Sequence, residues 1–153
     1  MTLPGVTRRA GPADAPAVAD VLIRSRRGAG DAIPPPAHTD DEIRAWVAAV
    51  VVPDREVWLT EAPDGRPLAV LVLEDDWIDQ LYVEPSATGH GLGSRLVELA
   101  KSRRPDGLQL WTFASNGRAR ELYLRHGFTE AETTDGSGNE EKAPDIRYTW
   151  KPV

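Results

Sequence analysis

A chain of 153 residues, 41% of them hydrophobic and 27% charged, can bury one sizeable core, which predicts a single domain over residues 1–153 and excludes a chain disordered throughout. It contains no cysteine, so disulfides, thiol nucleophiles and thiolate metal ligands are excluded together. A net charge of -6, with no run of Lys and Arg interleaved with aromatics, disfavours nucleic acid as a partner and mildly favours cationic ones such as protonated amines.

The N-terminus, Met1 to Arg9, has no apolar run of the signal-peptide kind, and no stretch elsewhere approaches the roughly 20 apolar residues that span a bilayer, which predicts a cytoplasmic protein without membrane contact. Val6 to Arg9 reads as a short strand. Asp14 caps a helix whose face is Ala15, Val18, Ala19 and Leu22, and Arg24, Arg26 and Arg27 solvate its end. Gly28, Gly30 and Pro34-Pro35-Pro36 make residues 28 to 38 a loop, in which His38 has no evident partner. Thr39-Asp40-Asp41-Glu42 matches the capping box, starting a second helix with Ile43, Trp46, Val47 and Val50 on its apolar face and Pro53 at its end.

Glu56 to Glu61 and Pro67 to Glu74 predict a hairpin around Pro63-Asp64-Gly65, and Trp77 to Val83 a further strand stopped by Pro85. After a glycine-rich turn, Leu92, Leu96, Leu99 and Ala100 fall on one helical face. Leu108 to Phe113 is a strand, Asn116 to His126 a helix closed by Gly127, and Phe128 to Thr133 with Ile146 to Trp150 a last pair of strands. Between that pair, 134 to 144 is polar and glycine-rich, which predicts a mobile tip. Near that tip, the acidic residues Glu140, Glu141 and Asp145 are candidates for attracting a cationic amine or are simply solvated.

The turn Thr88-Gly89-His90-Gly91-Leu92-Gly93 joins a strand to a helix, so free main-chain N–H groups converge at the positive end of the helix dipole, a geometry that binds phosphate. A Cβ at Gly89, Gly91 or Gly93 would hold a bulky diphosphate off the main chain. A Walker loop would need lysine where Gly93-Ser94-Arg95 stands, and a dinucleotide fingerprint would need a third glycine at Ser94 and an acidic strand end instead of Ala114-Ser115-Asn116. A CoA diphosphate requires only the amides and the helix end.

Thr88 to Gly93 resembles the diphosphate motif of the GNAT superfamily of N-acetyltransferases, Arg/Gln-x-x-Gly-x-Gly/Ala, with the strand Leu81-Tyr82-Val83-Glu84-Pro85 ahead of it at the family's spacing. Asn116-x-x-Ala119-x-x-Leu122-Tyr123-x-x-His126-Gly127-Phe128 resembles the second family motif. Thr88 departs from the pattern and removes one side-chain contact to the phosphates. The resemblance covers about residues 6 to 151 and implies an α/β fold of order β-α-α-β-β-β-α-β-α-β-β, with a central mixed sheet splayed between strands 4 and 5.

It further implies acetyl-CoA as cosubstrate and direct transfer of the acetyl group to a primary amine of a small molecule or peptide. Donor contacts fall on Leu81, Tyr82 and Val83, on Gly89, His90, Gly91, Leu92, Gly93 and Ser94, and on Asn116 and Tyr123. In the family the tyrosine at the position of Tyr123 points its phenol at the CoA sulfur and can protonate the departing thiolate; otherwise Tyr123 packs as core. Asp79, read as sharing a strand face with Leu81, is either the base for the amine or an ordinary polar residue; Glu74 and Asp76 stand behind it. The main chain at Leu81, on the family's bulged strand, would polarise the thioester carbonyl.

His90 either touches a phosphate or faces solvent, and His126 suits a helix C-terminus; three scattered histidines do not make a metal site. Trp46, Trp58 and Trp111 read as core, while Trp77 could line the acceptor pocket. The competing reading is a module of the same fold that holds an acyl-CoA without turning it over. Monomer and homodimer both remain open.

Overall fold

A computed structural model describes residues 5–153; of the reading over Met1 to Arg9, residues 1–4 lie outside the described residues. Strand β1 (Val6–Arg9) leads into helix α1 (Ala15–Gly28), then α2 (Asp40–Trp46), a π-helical turn Val47–Val51 and the single turn α3 (Val52–Asp54). Strands β2 (Glu56–Glu61), β3 (Pro67–Glu74) and β4 (Trp77–Val83) follow, then α4 (Leu92–Arg103), β5 (Leu108–Phe113), α5 (Gly117–Arg125), β6 (Thr129–Thr134) and β7 (Asp145–Trp150). The strands form one mixed sheet in the order β1-β2-β3-β4-β5-β7-β6, with β4 and β5 its parallel neighbours. This is the predicted element order and splayed sheet.

The reason β3 sits centrally is legible in Leu68-Ala69-Val70-Leu71-Val72-Leu73, an unbroken apolar run that is buried throughout. Val70 and Val72 pack with Val18, Val21, Val47 and Val51 of the α1–α2 layer, while Ala69, Leu71 and Leu73 pack with Leu96, Val97 and Tyr123 of the α4–α5 layer. Truncating Leu71 to Ala would cost about 2–5 kcal/mol, because both neighbouring strands hold the resulting cavity open. At the far edge, β6 (Thr-Glu-Ala-Glu-Thr-Thr) is almost wholly exposed, and its carboxylates blunt a free edge.

Three local expectations are corrected. Asp14 precedes α1 without capping it by its side chain: Arg8 grips the carboxylate at 2.8 and 2.9 Å and the Gly11 N–H donates to it at 2.8 Å. These hydrogen bonds hold the Asp14 carboxyl down to about 2. The capping box at Thr39 and Glu42 forms as predicted, but the π turn inserts one residue into the helical repeat. The buried face therefore passes from Val47 to Val51 and Val52 rather than to Val50, and Pro53 lies within the last turn.

The 134–144 connection, expected to be mobile, is hydrogen-bonded to itself through Asn139 Nδ2 to Ala143 O (2.7 Å) and Lys142 Nζ to Ser137 O (2.9 Å). It is also tied across to the end of α1 and to His38 beyond it. His38 Nε2 lies 2.9 Å from Glu140 Oε2, and Arg26 Nη2 lies 3.4 Å from Glu141 Oε1. Thr134 Oγ1 donates to Asp145. His38 thus has a partner, Arg26 does more than solvate a helix end, and the three acidic residues are engaged by the protein itself.

Candidate functional site

β4 and β5 pair only where Trp77 meets Gln109, and beyond that point they diverge. Ladder alternation fixes what the open edge of β4 offers. Glu84 N–H donates to Leu68 O at 2.7 Å, and Tyr82 pairs with Val70 and Gln80 with Val72. Alternate residues of an antiparallel pair bond to the same neighbour, so the main-chain groups of Leu81 and Val83 point away from β3. The Val83 carbonyl there accepts from Ser25 Oγ at 2.8 Å, while Leu81 leaves its N–H toward a cleft of about 630 Å³.

Thr88, Gly89, Gly91, Leu92, Gly93 and Ser94 line one end of that cleft. Gly89 and Gly91 have φ of 82° and 80°, the left-handed region that L side chains avoid. A Cβ built on either meets nothing within 4 Å, so the space a side chain would fill is open to a ligand. Gly91 caps α4, whose first-turn amides at Leu92, Gly93 and Ser94 have no intrahelical acceptor. Gly93 has a further reason: a Cβ there would lie 3.3 Å from Leu122 Cδ2, so this glycine lets α4 and α5 approach. Thr88 turns its hydroxyl back to Pro85 O at 3.0 Å and offers no long cationic arm. His90 is half-buried and is not among the residues that line the cleft.

α5 supplies the opposite wall. Asn116 caps it, its side chain accepting from Ala119 N at 3.3 Å, and lines both this cleft and a smaller cavity of about 70 Å³ further along the splay. Tyr123 lines both as well. Its ring is buried against Phe128 and Tyr148, at centroid distances of 5.5 and 6.1 Å. Burial, then the neighbouring Tyr82, raises its phenol above the ordinary value, so it keeps its proton at neutral pH. Two cations that sequence reasoning missed, Arg118 and Arg125, also line the large cleft. The helical spacing i, i+7 was the available signal, since it brings both to one face.

The smaller cavity is lined by Asp79, Gln80, Tyr82, Trp111 and Phe113 among others. Asp79 stands at a β-bulge: Val72 pairs with Gln80 but Leu73 pairs with Ile78. The extra residue resets the alternation, so Ile78 and Leu81 pack into the same core layer while Asp79 turns to the α1–α2 side. The expected shared face with Leu81 is thereby overturned. Arg55 lies over the Trp46 ring at 5.3 Å and places Nη1 2.5 Å from Asp79 and Nε 2.5 Å from Glu74, the latter an ion pair without hydrogen-bond alignment. Burial pushes the Asp79 carboxyl above its usual range and the Arg55 guanidinium opposes that shift. Asp76 is occupied by Gln109 Nε2 at 3.0 Å.

The tryptophans exchange roles. Trp77 lines neither cavity, whereas Trp111, expected in the core, is 41% exposed and forms part of the smaller one. Trp46 and Trp58 are only partly buried against the two core layers.

Residues 42–130, more than half of the chain, match the family model described as an acetyltransferase (GNAT) domain. A curated relative, an amino-acid acetyltransferase of Mycobacterium tuberculosis, is 33% identical over 91 residues, which cover 52% of this chain and 49% of that protein. The chain spans about half or less of the length of the curated relatives it matches. Among solved structures, apo YjaB from Escherichia coli superposes with a TM-score of 0.77 at 21% identity, covering 98% of this chain and 99% of that one. YncA from Salmonella typhimurium, solved with acetyl-CoA, superposes with a TM-score of 0.69 at 19% identity, covering 97% and 94%. The splayed sheet, the glycine turn and the family match agree, and the chain belongs to the GNAT acetyltransferase domain family.

Proposed function

We propose that this chain is a cytoplasmic, acetyl-CoA-dependent N-acetyltransferase, a single domain over residues 1–153, which moves the acetyl group directly to a primary amine of a small molecule or peptide. The observation that carries the proposal is that first-turn amides, left-handed glycines and the buried Tyr123 all line one cleft. The residues present suit the cosubstrate. Gly89, Gly91 and the amides of Leu92 to Ser94 seat a diphosphate, and Arg118 and Arg125 supply the positive charge that Thr88 does not. Acetyl-CoA, when bound, supplies the acetyl group as a thioester.

The chain's own groups handle the protons. An amine with pKa of about 10.4 is neutral only about once in 10³ at pH 7, so Asp79, through water, takes its proton. The Leu81 N–H faces the place of the carbonyl oxygen and stabilises the charge that develops on it. As the carbon–nitrogen bond forms and the carbon–sulfur bond breaks, Tyr123 delivers its proton to the departing thiolate, whose pKa of roughly 8.5 makes it an indifferent leaving group unaided. No covalent enzyme intermediate is needed, in keeping with a chain that lacks cysteine.

The test is free-thiol release from acetyl-CoA across a panel of primary amines. Amine-dependent thiol is the expected result. Thermal stabilisation by CoA with no release for any amine would reduce the protein to an acyl-CoA-holding module.

A further inference from the structure

Away from the reacting centre, three side chains form one hydrogen-bonded chain that reaches the donor cleft at Ser94. Ser94 and Glu98 stand one turn apart on the same face of α4. His126, capping the C-terminus of α5, bridges them, with Nε2 3.0 Å from Ser94 Oγ and Nδ1 2.9 Å from Glu98 Oε1. Ser94 lines the cleft beside the first-turn amides; the imidazole side chain is 15% exposed.

The donor and acceptor roles follow from chemistry. An ionised carboxylate only accepts, so Nδ1 must carry a hydrogen. In the neutral ring Nε2 is then a lone pair, and the Ser94 hydroxyl spends its single hydrogen on it, presenting only lone pairs to the cleft. In the cationic ring Nε2–H donates to Ser94 Oγ, and the hydroxyl hydrogen is released toward the cleft, where it can donate to an anionic oxygen.

We infer that His126, oriented by Glu98, positions the Ser94 hydroxyl as a donor to the diphosphate of the acyl donor, and that donor binding is linked to net proton uptake through this chain of hydrogen bonds. The identity of the anion rests on the proposed function; the hydrogen-bond chain does not. The charged groups around His126 are accounted for. From α4 it faces Glu98 and Lys101, whose Nζ lies 3.8 Å from Glu98 and donates to the His126 carbonyl at 2.6 Å. Arg125 precedes it on α5, and from β7 comes the Trp150 ring, which Lys101 overlies at 4.9 Å.

The test is calorimetric binding of dephospho-CoA, which keeps the diphosphate but lacks the phosphomonoester that itself titrates near pH 6. Across the range where histidines change charge, about pH 6 to pH 8, the Kd is expected to weaken about tenfold, the worth of one charge-assisted hydrogen bond. Midway through that change, buffers of different ionisation heat should report net uptake of about half a proton, the most that a tenfold linkage allows. His126→Gln, whose amide donates to Ser94 at every pH, should bind with a flat profile near the wild-type affinity at low pH.

Glu98→Gln, an exposed change that leaves packing alone, frees Nδ1 to accept and lets the neutral ring carry Nε2–H; it too should flatten the profile while keeping tight binding. A wild-type profile that is already flat, or a slope that survives in Glu98→Gln, overturns the inference and leaves the proposed function standing. Failure of the wild-type protein to bind dephospho-CoA at any pH removes both.

Discussion

At the glycine-turn end of the cleft the protein presents main chain, and at the β-bulge end it presents side chains. The first is built from two left-handed glycines, three first-turn amides and a helix dipole, none of which depends on a side-chain rotamer. The second is built around Asp79, held from behind by an Arg55 fork that also reaches Glu74, and the exposed Trp111 face. A backbone seat recognises what every acyl-CoA has in common. A side-chain wall can be rewritten without disturbing that seat, so under the proposed function donor use and acceptor choice would be separable here.

Tyr123 lies where the two ends meet, and its substitution is expected to have the largest effect. Tyr123→Phe keeps the ring packed against Phe128 and Tyr148 but removes the proton, and kcat should fall about 10²-fold. The KM for acetyl-CoA should barely move; a full-speed Phe variant would take the role away from the phenol.

Asp79→Asn belongs to the bulge end alone. It should lower kcat/KM for the amine by a factor on the order of tens while leaving donor affinity intact. The base must be ionised to act, so activity is lost as pH falls through its pKa. Because burial raises that pKa, the acidic limb of the pH profile should lie above the usual carboxylate range. Arg55→Met removes the guanidinium that opposes the shift and should move the limb to still higher pH. An acidic limb unmoved in that variant would separate Asp79 from the proton transfer.

Gly91→Val tests the seat in isolation. Its φ of 80° makes a β-branched residue strained by about 1–2 kcal/mol, and the side chain would project into space that is now open. The KM for acetyl-CoA should rise about tenfold while the KM for the amine stays put; equal changes in both would contradict the separation of the two ends.

How much of this was legible in the sequence divides along the same line. Glu56–Glu61, Pro67–Glu74, Trp77–Val83 and Leu108–Phe113 fall where alternation, proline stops and β-branched runs predicted them, because those signals act over a few residues. The glycine turn was legible because positive φ is a property of the residue itself. What escaped depends on distant partners. Asp14 is a fair cap by composition, yet Arg8 takes it from a neighbouring strand. The π turn at Val47–Val51 and the bulge at Asp79 each add one residue to a repeat and so turn the following side chains, which no periodicity count reveals in advance. Ser94, Glu98 and His126 come from two helices that pack closely beside Gly93, and Arg118 and Arg125 acquire meaning only once α5 lines the cleft.

Trp111 is the gentlest probe of the comparison. It stands on β5 opposite Arg147 of β7, and two-fifths of its surface is open, so its aromatic face serves the smaller cavity more than the core. Replacing a fully buried tryptophan with alanine would cost roughly 3–5 kcal/mol; here the partial exposure reduces the expected loss to about 1–2 kcal/mol, a fall in Tm of only a few degrees. The kinetic consequence should be confined to the amine: Trp111→Ala removes an apolar wall, and the KM of an apolar amine should rise severalfold more than that of a small hydrophilic one. Acetyl-CoA affinity should remain as it was, since Trp111 does not line the cleft that holds the glycine turn. A variant that loses donor affinity along with amine selectivity would mean that the two ends of the cleft are mechanically coupled through β5, and the separation argued above would fail.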